Sequence, residues 1–141
     1  FKAAQSIPDQ AEASEKDESG PVEQRSASIL VVDDDPDVRD FIAEALADDG
    51  YRVRDCADGR TALMEYTKER PDLVVLDFVM PEMSGAEVAS RMLEEAPEQK
   101  ILFVSGYSET DAIKRIAPDS PLLAKPFRSE ALSKAVRRAL A

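Results

Sequence analysis

Five side chains in this chain have the types and the placement to do chemistry. Asp33 and Asp34 follow the apolar run Ile29-Leu30-Val31-Val32, and Asp77 follows Leu73-Val74-Val75-Leu76. Ser105 follows Ile101-Leu102-Phe103-Val104, and Lys125 follows Leu122-Leu123-Ala124. The chain contains 0 histidines, which excludes Ser-His and Cys-His nucleophilic pairs and His-rich zinc sites. Carboxylates, hydroxyls and Lys/Arg must carry any reaction. Brought together, three carboxylates repel unless a cation joins them. Their hard oxygens suit Mg²⁺, which takes few protein carboxylates and welcomes phosphate oxygens. A cation, an ammonium and a small hydroxyl together neutralise and hydrogen-bond a phosphoryl group. A carboxylate can be the nucleophile that receives it, as an aspartyl phosphate. The set is equipped to place a phosphoryl group on Asp77, with Asp33 and Asp34 holding a metal and Ser105 and Lys125 binding the transferred group.

Such a site exists only if the elements bring these residues together. A short apolar run bounded by breakers reads as a buried strand. Four of them are present, near Ser28–Val32, Leu73–Leu76, Ile101–Val104 and Pro121–Ala124. Tyr51 to Cys56 instead alternates Tyr51, Val53 and Asp55 against Arg52 and Arg54, the pattern of a half-exposed strand at a sheet edge.

Between the strands lie helical periods. Asp35 and Pro36 suit an N-cap and first turn, followed by an apolar face of Val38, Phe41, Ile42, Ala45 and Leu46, and Asp48-Asp49-Gly50 stops that helix. Ala57-Asp58-Gly59 opens a second helix with Ala62, Leu63 and Tyr66 inward, ending before Pro71; after Met83-Ser84-Gly85 a third uses Val88, Ala89, Met92 and Leu93, and Pro97 ends that region. A short fourth helix is expected near Glu109 to Ile116, with Ala112, Ile113 and Ile116 inward. A last helix starts near Ser129, read as its cap, with a stripe of Ala131, Leu132, Ala135, Val136, Ala139 and Leu140. Strict strand-helix alternation implies an α/β, doubly wound fold: a parallel sheet with helices on both faces. All strand ends then share one edge, where ligands bind in such sheets.

Bulk composition bounds the rest. The 141 residues fit one domain with spare length. A net charge of −11 and a pI near 4.5 argue against gripping a nucleic-acid backbone or an anionic membrane surface. No apolar run approaches the roughly 18 residues of a membrane span. The single cysteine, Cys56, forms no internal disulfide, which fits a reducing compartment. Residues 1–27 read as an acidic flexible linker or tail, poor in large apolar groups, and 28–141 as the folded domain. Phe1 with Ile7 could be the end of a preceding domain, and a chain starting on Phe1 reads as part of something longer.

The segments ILVVDDDPDVR, PDLVVLDFVMPEMSG, ILFVSGY and LLAKPF, in this order over residues 28–141, together resemble the receiver domain of two-component response regulators. The resemblance implies a CheY-like, flavodoxin-like (βα)5 fold with strand order 2-1-3-4-5. It implies that Asp77 is the phosphoacceptor, that Asp33 and Asp34 with Asp77 and the Val79 backbone carbonyl hold Mg²⁺, and that Ser105 and Lys125 are the switch hydroxyl and the lysine of the site. Lys125-Pro126 matches a bond that is cis in the family, which an X-Pro bond permits.

The implied partner is a histidine kinase or histidine phosphotransfer domain, with no nucleic-acid or membrane contact by this domain; a homodimer stays open. The implied location is cytoplasmic, within a parent that could itself be membrane-anchored. SGY and the short segment broken by Pro118 and Pro121 resemble receivers at the C-terminus of hybrid sensor histidine kinases. Leu122 stands where the family carries its aromatic switch, and Val79 and Tyr107 stand where it tunes dephosphorylation; an apolar Val79 implies slow hydrolysis. A pseudo-receiver that binds partners without phosphorylation is opposed by the complete acidic set, while Leu122 and the short fourth-helix region leave room for it. A phosphatase of the haloacid-dehalogenase type needs an acid where Val79 stands. An FMN carrier needs a phosphate-cradling loop after the first strand, and none is present.

Overall fold

The computed structural model describes residues 27–106, 109–116 and 118–141. Five strands, β1 (Ser28–Val32), β2 (Arg52–Cys56), β3 (Leu73–Asp77), β4 (Lys100–Ser105) and β5 (Leu122–Ala124), form one sheet in the order β2-β1-β3-β4-β5. All four pairings are parallel. Five helices connect or follow them: α1 (Pro36–Asp48), α2 (Gly59–Lys68), α3 (Gly85–Glu95), α4 (Thr110–Ile116) and α5 (Ser129–Leu140). The doubly wound α/β expectation and its strand order are met.

The register explains why the runs are continuous rather than alternating. β1 and β3 are buried at every position, because helices cover both faces. Odd and even residues feed two cores. Leu30, Val32, Val74, Leu76 and Phe103 join Tyr66, Val88 and Met92 on one face. Ile29, Val31, Val75, Leu102 and Val104 join Ile42, Leu46, Leu132 and Val136 on the other. Truncating a fully buried leucine such as Leu76 or Leu102 to alanine costs about 2–5 kcal/mol. β2 is an edge strand, as its alternation indicated: Tyr51 and Val53 join one core and Cys56 the other.

Helix ends follow local chemistry. Asp35 caps α1, its carboxylate accepting from the Asp37 and Val38 amides at 2.9 and 3.5 Å. At the other end Tyr51 N–H donates to Leu46 O and Gly50 N–H to Ala47 O, with Gly50 at φ 99°; this is the paired-bond helix stop that favours glycine. Asp58 caps α2 through Thr61 N–H at 2.7 Å, and Ser84 caps α3 through Glu87 N–H at 3.2 Å.

Several side chains depart from the expected faces. Leu93 and Phe41 are exposed, at 38% and 43%, and Ala131 is exposed too; each lies at the edge of its helix's apolar stripe, away from the buried centre. Phe41 nonetheless meets Phe127 at a ring separation of 6.0 Å. Ser129 is the first residue of α5 rather than its cap; Arg128 holds the cap position and makes no side-chain capping bond. The readings of residues 1–26, of Tyr107 and of the Ile116 side chain fall outside the described residues.

Candidate functional site

Asp33, Asp77 and Ser105 sit at the carboxyl ends of the adjacent strands β1, β3 and β4, and Lys125 directly follows β5. A parallel sheet puts all four at one edge, which is why residues 92 positions apart meet. The carboxylates of Asp33, Asp34 and Asp77 each place an oxygen within 4.8 Å of the others. Asp33 is 1% exposed, Asp77 5% and Ser105 0%; Asp34 faces solvent.

Backbone geometry holds each in place. Asp33 N–H donates to Cys56 O at 3.2 Å, and its own Oδ1 accepts from Asp35 N–H at 2.9 Å. Arg39, on the first turns of α1, donates from Nη1 to Asp33 O at 2.9 Å. Beyond β3, Phe78 N–H donates to Val104 O at 2.9 Å, and Gly85 N–H returns to Phe78 O at 2.8 Å. That return packs α3 against the strand end so closely that a Cβ on Gly85 would lie 2.3 Å from Asp77 O and 2.7 Å from Phe78 Cα. Inside this loop Glu82 adopts φ 69°, a left-handed conformation rare for glutamate. Lys125 N–H donates to Ser105 O at 2.7 Å, and the Lys125-Pro126 bond is cis.

Lys125 Nζ lies 3.5 Å from Asp33 Oδ2 and 3.6 Å from Asp77 Oδ1. One ammonium thus serves two buried acids, and charge compensation is incomplete. Burial first, then the negative charge of Asp33, push the Asp77 carboxyl up to about 7; Lys125 and the Val79 amide oppose this, and Asp34 adds to it. Two buried polar atoms, Asp33 Oδ2 and Ser105 Oγ, have no hydrogen-bond partner among the described residues. Such groups cost free energy unless a ligand completes them. The acidic donors fit a hard divalent cation, and the hydroxyl is placed to donate to an anionic oxygen.

The five side chains singled out by type therefore occupy one edge, at the ends of four strands. Val79 turns its side chain outward, 55% exposed, while its N–H donates to Asp77 Oδ1 at 3.4 Å. From the sequence, Pro81 to Gly85 are expected only to shape the loop beside the metal, and Arg39 has no expected site role. Arg39 had a legible signal, lying one turn into α1 where a long side chain can reach back over the strand end; the role of Gly85 depends on the loop path. An open cleft of about 490 Å³ lined by Ala27, Arg70, Asp72, Gln99 and Lys100 includes none of the five.

Comparison with known proteins agrees with this geometry. The response regulator receiver domain profile matches residues 29–137, and the chain belongs to that family. It is 35% identical over 118 residues to the response regulator receiver protein CpdR of Brucella abortus, covering 79% of this chain and 95% of CpdR. It is 37% identical over 119 residues to the sensor kinase CckA of the same organism, covering 82% of this chain but only 13% of CckA. Among solved structures, the chemotaxis protein CheY4 of Vibrio cholerae superposes with a TM-score of 0.73 at 31% identity, covering 82% of this chain and 99% of CheY4. The domain is a phosphoryl-accepting receiver of two-component signalling, carrying the acidic pocket of Asp33, Asp34 and Asp77. No helix among the described residues is long and apolar enough to cross a membrane.

Proposed function

We propose that Asp77 receives the phosphoryl group, in a site where Asp33, Asp34 and the Val79 carbonyl join Asp77 in holding Mg²⁺. The observation that carries this reading is the pair of buried oxygens, Asp33 Oδ2 and Ser105 Oγ, with no hydrogen-bond partner among the described residues, at the same sheet edge as a buried carboxylate contacted by a lysine. Mg²⁺ would supply charge neutralisation for the phosphoryl oxygens and hold Asp77 ionised. An Asp77 oxygen attacks phosphorus in line. The bond to the donor nitrogen breaks, and its electron pair leaves with the imidazole. Lys125 and Ser105 hold the equatorial oxygens as negative charge shifts onto them. Because the chain has 0 histidines, a phosphohistidine donor must come from another domain or protein, a histidine kinase or a phosphotransfer domain.

The similarity to a stretch of a sensor kinase, with a segment rich in acids and short polar residues before β1, supports a parent of the hybrid kinase type. In that parent residues 1–27 are the linker, residues 28–141 the receiver, and the location of the domain is cytoplasmic. The test is intact mass spectrometry after treatment with Mg²⁺ and acetyl phosphate or a phosphohistidine donor. Wild type should gain one phosphoryl group and Asp77→Asn none. Equal gain by Asp77→Asn would move the acceptor elsewhere.

A further inference from the structure

We propose that Glu109 is an anionic latch on the strand end that binds the phosphoryl group, and that phosphorylation releases it. This rests on the reading of Asp77 as the acceptor. Gly106 N–H donates to Glu109 Oε1 at 2.7 Å, a short bond to a charged acceptor. Gly106 directly follows Ser105, whose buried Oγ has no partner among the described residues. Its amide is thus the first backbone donor beyond the hydroxyl that faces the site. Room for the carboxylate comes from the glycine itself: a Cβ on residue 106 would lie 2.8 Å from Oε1.

A phosphoryl group brings additional negative charge and three strong acceptor oxygens. Bound at Ser105, it competes for the neighbouring Gly106 amide and repels the carboxylate that holds it. Only one anion can take the donor fully.

Releasing Glu109 has a direct route outward. Glu109 immediately precedes α4 (Thr110–Ile116), which is anchored by Ile113, 1% exposed, in the core that Phe103 also enters and that Leu122 packs against. With a leucine at position 122 there is no aromatic ring to swing at β5. The Glu109 carboxylate bond to the Gly106 amide, beside the Glu109 N–H bond to Gly106 O at 3.3 Å, then ties the strand end to α4, a helix of 7 residues whose register depends on its first turn.

Two measurements test this. Without phosphorylation, amide hydrogen exchange at Gly106 should quicken about tenfold in Glu109→Ala, the loss of a hydrogen bond to a charged group. Glu109→Gln keeps an acceptor and should fall between. With acetyl phosphate and Mg²⁺, the Glu109 side-chain carboxyl resonance of wild type should shift, and the α4 amide resonances should move toward their positions in unphosphorylated Glu109→Ala. Unchanged Gly106 exchange in Glu109→Ala overturns the latch. A fully phosphorylated wild type with an unmoved Glu109 resonance overturns its release. If wild type gains no phosphoryl group at all, the Asp77 reading itself falls and the release with it.

Discussion

Lys125 Nζ stands 3.6 Å from Asp77 Oδ1, although Lys125 follows the edge strand β5 and Asp77 ends the central strand β3. The same ammonium is 3.5 Å from Asp33 Oδ2. Removing it leaves two buried carboxylates facing each other with no cation between them. Lys125→Met should therefore destabilise the metal-free protein by about 1–3 kcal/mol, measured by urea unfolding at pH 8. It should also slow phosphorylation by acetyl phosphate by about 10²-fold, because a fixed charge at the transferred group is lost. Normal phosphorylation in the variant would remove Lys125 from the site.

Asp77 makes the opposite prediction for stability. Its folded value is pushed up to about 7 from an ordinary 3.8. Between those values the folded chain holds a proton that the unfolded chain has released. The stability from this group is therefore complete at low pH and is lost as pH rises through about 7. Asp77→Asn, which never ionises, should stabilise the metal-free protein, by roughly 1–3 kcal/mol at pH 8 and much less at pH 5. Thermal melts at the two pH values check the sign. Added Mg²⁺ should raise the melting temperature of wild type more than that of Asp77→Asn, since it relieves the same repulsion.

Much of this was legible before the structure, for physical reasons. β1, β3 and β4 read as strands because burial on both faces leaves no room for alternation, and a polar residue after each run marks the strand end. Parallel topology then dictates that Asp33, Asp77, Ser105 and Lys125 share an edge. What was not legible depends on backbone paths between elements. The close approach of Gly85 to Asp77 and the Glu109 bond to Gly106 depend on backbone paths that apolar periodicity does not encode. Helix faces failed at their margins: Phe41, Leu93 and Ala131 lie at the edges of apolar stripes, where helical spacing alone does not separate covered from exposed positions. Ser129 has a side chain suited to a cap, but the chain is already helical there and Arg128 holds the cap position.

Cys56 gives a chemical check on the fold. It ends β2, is 4% exposed, and its thiol is pushed up to about 11 by burial and then by the charges of Glu65 and Asp55. Only the thiolate reacts quickly. The folded protein should resist alkylation by iodoacetamide at pH 8, and urea should expose a thiol that reacts at an ordinary rate. Rapid alkylation without denaturant would mean that β2 peels from the sheet edge.

Gly85 tests how tightly α3 is set against the acceptor strand. Its N–H bonds to Phe78 O at 2.8 Å, and a Cβ there would meet Asp77 O at 2.3 Å and Phe78 Cα at 2.7 Å. Both atoms are backbone, so no side chain can swing aside; either α3 or the end of β3 must move. Gly85→Ala should cost about 1–3 kcal/mol, the range for overpacking a close contact. The larger loss should be in phosphorylation, because moving the β3 end by a fraction of an ångström shifts Asp77 relative to Lys125 and Ser105. Gly59 serves as a control. Its added Cβ would meet Val88 Cγ2 at 2.6 Å and Met83 Sδ at 3.0 Å, side-chain atoms rather than the backbone of the β3 end. Gly59→Ala should reduce stability while leaving the phosphorylation rate of the folded fraction nearly intact. Equal rate losses in the two variants would show that general destabilisation, not displacement of Asp77, is responsible.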